Sequence, residues 1–173
     1  MKKFIQDDFL LSKKEIEYVN NTILAPNFEW YYKDESNKGD GHWFYSHLVV
    51  QRVELGGGYT SKISSFCESL LKKFCKKHKI KYEKILRCCV NTTFFQKNKS
   101  FMHNDHDCDY NHLFIYLTTN KSGETILFKE DKKTIIKKIK PKQFRAVSFP
   151  KCWHIGNPPV DATRKILIVY TFK

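Results

Sequence analysis

His103, Asp105 and His154 are the residues of this sequence best suited to hold a metal ion. His103-Asn104-Asp105 lies in the segment FMHNDHD, and His154 follows 51 residues later in CWHIGNPPVDATR. Two imidazoles and one carboxylate fill one face of an octahedral ion, a set that suits Fe(II), and leave the other positions open for a cosubstrate and O2. Ten residues past His154, Arg164 opens the apolar run KILIVYTF. A guanidinium is the side chain best shaped to grip a remote carboxylate through two parallel bonds. Neighbouring His106 and Asp107 cannot supply the same motif, because position 108 is Cys108. Zinc is the competing ion. Its sites usually close with cysteine or a third histidine, and Cys152 lies near His154. Strand alternation favours Fe(II), since residues i and i+2 share a face and bring His103 and Asp105 to one ion.

Such a set needs a rigid frame, and the sequence describes one. Ser12 to Glu15 reads as a capping box, opening a helix from about Lys13 to Leu24 that stops before Pro26. Residues 28–32, FEWYY, read as a strand, and 33–41, KDESNKGDG, as a polar loop. HWFYSHLVVQ follows as a strand, and Gly56-Gly57-Gly58 as a flexible turn. Residues 61–79 carry Ile63, Phe66, Cys67, Leu70, Leu71, Phe74 and Cys75 at helical spacing. Beyond Lys79 the segments ILRCCVNTTFFQ, FMHND, HLFIYLTT, TILFKE, TIIKKIK, FRAVSF and RKILIVYTF are short, β-branched and aromatic, divided by turn residues. Helices followed by many strands predict an α+β, β-rich fold, a sandwich backed by N-terminal helices.

Composition sets the outer bounds. A chain of 173 residues with 41% hydrophobic residues and 15% aromatics suits one domain, 1–173, around a packed core. The start has no apolar signal segment and no run long enough to cross a membrane, so the cytoplasm is the expected compartment (the host cytoplasm if the chain is viral). The six cysteines form no CxxC pair, which points to free thiols. The net charge of +13 raises nucleic acid as a partner. Only Arg52, Arg87, Arg145 and Arg164 are arginines, which weakens any case for reading guanine. Lysines 129, 132, 133, 137, 138, 140 and 142 gather on one expected hairpin, as on a solvated strand face.

Over most of its length, and most sharply from Leu86 to Phe172, the chain resembles the Fe(II)/2-oxoglutarate-dependent dioxygenases, in particular the prolyl 4-hydroxylase-like branch and its small phage-encoded members. The family's His-x-Asp is followed by a strand ending in Tyr-Leu-Asn; here FIYLTT places Tyr116, Leu117 and, for the Asn, Thr118. Gly-Glu-Thr before an aromatic is matched by Gly123-Glu124-Thr125 and Phe128. Pro141, RAVSF, His154, then Pro158, Pro159, Val160 and Arg164 complete the order. One departure concerns a Tyr that many members carry nine or ten residues before the first His. Here those positions are Phe94 and Thr93, so Asn91 or Thr93 would take over its contact.

The resemblance implies a double-stranded β-helix, the jelly-roll or cupin-like core. It implies Fe(II) held by His103, Asp105 and His154, 2-oxoglutarate as cosubstrate, and O2. Arg164 would pair with the distal carboxylate of 2-oxoglutarate, Tyr116 would donate a hydrogen bond to it, and carbon would be hydroxylated with release of succinate and CO2. A protein or peptide substrate is expected, a prolyl residue foremost, with non-specific nucleic-acid binding beside it. Related nucleic-acid demethylases carry a further Arg six residues after the carboxylate-gripping one, and here that position is Tyr170. Two other readings stay open, a nucleic-acid-modifying oxygenase and a non-catalytic basic binding module on the same fold.

Overall fold

The computed structural model describes residues 4–160 and 163–173. In chain order the strands are β1 (Ile5–Asp7), β2 (Tyr31–Lys33), β3 (Phe44–Val50), β4 (Ile85–Thr93), β5 (Asn111–Tyr116), β6 (Thr125–Phe128), β7 (Ile135–Ile139), β8 (Ala146–Pro150), β9 (Trp153–Gly156) and β10 (Lys165–Phe172). Helix α1 (Lys13–Tyr18) follows β1, and α2 (Ser64–His78) lies between β3 and β4. Seven strands form one antiparallel sheet in the order β1-β8-β5-β10-β4-β3-β2, and three form a smaller one, β7-β6-β9. This is the β-rich jelly-roll that the sequence predicts.

The capping box of α1 is present, with Glu15 N–H donating to Ser12 Oγ and Ser12 N–H to Glu15 Oε2. Helical backbone continues through a π-turn, Val19–Ile23, so the expected helix of 13–24 is there with a widened second half. Helix α2 ends at Lys79, whose φ of 56° reverses the chain. Two strand expectations need correcting. The 28–32 strand is displaced to Tyr31–Lys33, because Phe28 and Trp30 pack against the core instead. FMHND is not a strand. His103 alone is bridged to His154, while the N–H of Asp105 donates to the Tyr110 hydroxyl and its carbonyl accepts from Arg52.

The large sheet separates two cores. On β10, Ile166, Ile168, Tyr170 and Phe172 face Leu70, Leu71 and Phe74 of α2. Leu167 and Val169 face the opposite way, toward Phe114, Leu127 and Phe149 between the two sheets. Period-two alternation is what divides them. All six cysteines are unbridged, five of them buried. Among the described residues no helix is long and apolar enough to cross a membrane.

Candidate active site

The metal-ligand candidates meet because two of them are directly paired. His103 and His154 exchange reciprocal backbone hydrogen bonds, each 3.1 Å, and paired residues on one face lie side by side. Their ring centroids are 4.4 Å apart. Asp105 joins them, and one ligand atom from each of the three lies within 4.8 Å of the others.

Tautomers are set by neighbouring carbonyls. The Phe101 carbonyl lies 2.9 Å from His103 Nδ1, and the Cys152 carbonyl 3.2 Å from His154 Nδ1. A carbonyl can only accept, and at His103 it lies closer than the Asn37 amide nitrogen, 3.3 Å from the same Nδ1, so each Nδ1 carries the proton and each Nε2 keeps its lone pair. Burial lowers the His154 pKa to about 3, leaving the imidazole neutral, the form that binds metals. Burial alone would raise the Asp105 pKa. The hydrogen bond from His112 and the positive field of Arg87 outweigh it and hold the carboxyl well below its usual value. His112 Nε2 is 2.9 Å from Asp105 Oδ2, while Arg52 and Arg87 reach Oδ1 at 3.3 and 3.6 Å. Asp105 is therefore ionised and fixed in place. The donor set, the lone pairs and the charge fit a divalent ion such as Fe(II).

These residues open on a cavity of about 180 Å³. Its wall contains Lys165, which is 2% exposed and donates from Nζ to the carbonyls of Gly123 and Asn157. Gly123 has a φ of 85°, and a Cβ there would meet the backbone of Pro159 at 3.1 Å, so only glycine presents that carbonyl. Lys165 pairs across the sheet with Thr93, another cavity residue. On β9, Gly156 shares a face with His154 and lies about 7 Å along the strand from it. Phe114, Leu167 and Val169 complete an apolar flank. His42, 3% exposed, also lines the cavity, and both its ring nitrogens lack a partner among the described residues, as does Thr93 Oγ1. Buried polar atoms left unpaired beside a cavity need a partner from within it, a polar ligand or water.

The loop that carries His42 is ordered from within. Asp40 accepts from the backbone N–H groups of Ser36, Asn37, His42 and Phe101, which brings the loop against the segment leading into His103.

Two residues expected at the cosubstrate lie elsewhere. Arg164 is exposed and outside the cavity wall; it has the parity of Ile166 and Ile168, the face that turns toward α2. Its neighbour Lys165 has the parity of the cavity. Tyr116 is fully buried behind the wall, its hydroxyl 2.8 Å from Thr125 Oγ1, and it is Thr125 that borders the cavity. Tyr116→Phe should cost about 1 kcal/mol in thermal unfolding, the worth of one hydrogen bond. Asn91 does line the cavity, with Oδ1 accepting from Ser46 Oγ at 2.8 Å. His42, Lys165, Arg52, Arg87 and His112 carried no motif in the sequence.

In sequence, no protein-family model and no curated protein gives a significant match to the chain. In structure, 98% of the chain superposes on a 2OG-Fe(II) oxygenase family oxidoreductase from Burkholderia pseudomallei, covering 84% of that chain (TM-score 0.75, 14% identity). The chain has the fold of the 2OG-Fe(II) oxygenases. Within that fold the likeness extends to the prolyl-4-hydroxylase branch. A Pseudomonas putida prolyl-4-hydroxylase matches all of the chain over 94% of its own length (TM-score 0.65, 11% identity). A Trichoplax adhaerens prolyl hydroxylase, solved with a hypoxia inducible factor peptide fragment, matches 98% of the chain and 82% of its own (TM-score 0.62, 15% identity).

Proposed function

We propose that the protein is an Fe(II)- and 2-oxoglutarate-dependent dioxygenase that hydroxylates a carbon of a protein or peptide substrate. The observation that supports this best is the pairing of two Nε2 lone pairs and one ionised carboxylate with a single buried ammonium in the same small cavity. His103, Asp105 and His154 would hold the iron, and Lys165 would hold the distal carboxylate of the cosubstrate. The Thr93 and Thr125 hydroxyls and the His42 imidazole would bond its oxygens. When bound, iron and 2-oxoglutarate supply the oxidising power: O2 is divided between the substrate hydroxyl and succinate, and CO2 leaves.

The chain's own work is to bind, orient and exclude water. Phe114, Leu167 and Val169 provide dry surface for the methylenes of the cosubstrate. His112 and the two arginines fix Asp105 before any ligand arrives, which lowers the reorganisation needed at the ion.

Lys165 gives this reading a pH signature. Burial lowers its pKa to about 7, so at pH 8 most of the free protein holds it neutral. A carboxylate placed against it favours the charged form and raises that pKa. Binding 2-oxoglutarate to the Mn(II)-loaded protein at pH 8 should therefore take up a proton, and at pH 6 almost none. Calorimetry in buffers of different ionisation enthalpy measures this. Equal uptake at both pH values excludes Lys165 as the anchor.

The direct test of the function is succinate release from 2-oxoglutarate with Fe(II), stimulated by a peptide pool or by a nucleic-acid pool. Peptide stimulation supports the proposal, and stimulation by nucleic acid alone reverses the substrate ranking. Tyr170, which stands where nucleic-acid demethylases have their further Arg, is buried and donates its hydroxyl to the Cys67 carbonyl. Binding of nucleic acid to the surface lysines alone should fall steeply with salt, as counterion release requires.

A further inference from the structure

Arg52 and Arg87 stand where the metal cavity meets a second, larger depression of about 1000 Å³, and both line each space. Their side chains are 23% and 22% exposed. Each reaches the same oxygen, Asp105 Oδ1. Arg52 also lies 3.6 Å from Glu54, but that carboxylate is exposed, and such pairs contribute little.

Counting charges shows what these arginines lack. Among the described residues lining the cavity, Asp105 is the one acid, set against Arg52, Arg87 and Lys165. In the oxygenase reading, on which this inference rests, the divalent ion and the dicarboxylate cancel. Asp105 and Lys165 cancel as well. The two guanidiniums share the single oxygen Asp105 Oδ1 and leave the cavity with a net positive charge, in a place largely shielded from water. Partly buried cations are costly unless paired, and a guanidinium pairs best with a carboxylate or phosphate.

The groove indicates which anion. Its described walls carry Lys33 and Lys62 against a single acid, Glu29. One side is formed by β2, whose Tyr31 and Lys33 line the groove. This strand ends the large sheet and pairs with β3 alone, so its outer edge is unpaired among the described residues. An unpaired strand edge recognises an extended peptide backbone, which nucleic acid does not possess.

We infer that the groove receives an extended acidic peptide alongside β2, with a carboxylate of that peptide engaging Arg52 and Arg87 and a carbon close to it delivered to the metal centre. The substrate class is thus an Asp- or Glu-bearing segment rather than a neutral one.

The test uses the full chain loaded with Mn(II) and 2-oxoglutarate at physiological ionic strength. Fluorescence anisotropy compares a labelled peptide of alternating Glu and Pro, its Gln counterpart, and a single-stranded oligonucleotide. The Glu peptide should bind at least about tenfold more tightly than the Gln peptide, a difference one well-placed charge pair can supply. Arg52→Gln and Arg87→Gln should remove that preference, and Lys137→Gln, on the exposed β7, should retain it. Arg87→Lys, which keeps the charge, separates a lost contact from a lost fold. Equal binding of the two peptides, or displacement of the Glu peptide by the oligonucleotide, overturns the inference. Succinate formation by the same proteins and peptides, with Fe(II) in place of Mn(II), separates the two levels. Succinate without a Glu preference overturns the groove assignment alone. A Glu preference without succinate overturns the oxygenase reading and leaves the groove assigned.

Discussion

His154→Ala is expected to abolish Fe(II) and Mn(II) binding together with 2-oxoglutarate turnover, while the fold survives. His154 Nε2 lies 3.7 Å from Asp105 Oδ2, and its proton is held at the far nitrogen by the Cys152 carbonyl. Without it, His103 and Asp105 offer only two ligands, too few to hold an ion that keeps positions open for exchange. His103→Ala should behave in the same way. Mn(II) titration followed by electron paramagnetic resonance gives the affinity, and circular dichroism checks the fold. Unchanged metal affinity in both variants would rule out the assignment.

Lys165→Met should raise the 2-oxoglutarate requirement between about thirty- and several-thousand-fold, the range for removing one partner of a desolvated charge pair, about 2–5 kcal/mol. Metal affinity should not change. Arg164→Ala, one residue earlier and exposed, should change neither. The reverse pattern, with Arg164→Ala crippled and Lys165→Met intact, would return the cosubstrate to the arginine.

That pair of residues shows where sequence reading stops. The strand itself was legible as an apolar run with a cation at its start. Which of two adjacent cations faced the cavity was not, because both faces of β10 are buried and apolar, so no polar alternation marks the sides. A shift of one residue exchanges the faces. The grouping of His103, Asp105 and His154 was legible because it is a spacing pattern. Helix 61–79 was legible too, since one of its faces meets water. His42, Arg87 and His112 were not, because their roles come from tertiary neighbours. His112 sits in an apolar strand and is recognised only once Asp105 folds back onto it. FMHND read as a strand because its residues alternate acceptably, yet Arg52 and the Tyr110 hydroxyl take the backbone groups of Asp105 that a ladder would have used.

The order of strands in the large sheet has a consequence for how the protein comes into being. β1, β8 and β5 form one block and β4, β3 and β2 another, and β10 alone joins them. It is synthesised after every other described strand, and it also delivers Lys165. Neither half can bury its inner surface until those residues emerge, and their partners on β4 lie far back in the sequence, Lys165 opposite Thr93. Pairings so distant along the chain make for slow, late folding. The chain must therefore carry two open sheet edges, on β4 and on β5, until β10 is available, and that strand closes the sheet and finishes the cavity wall in one event.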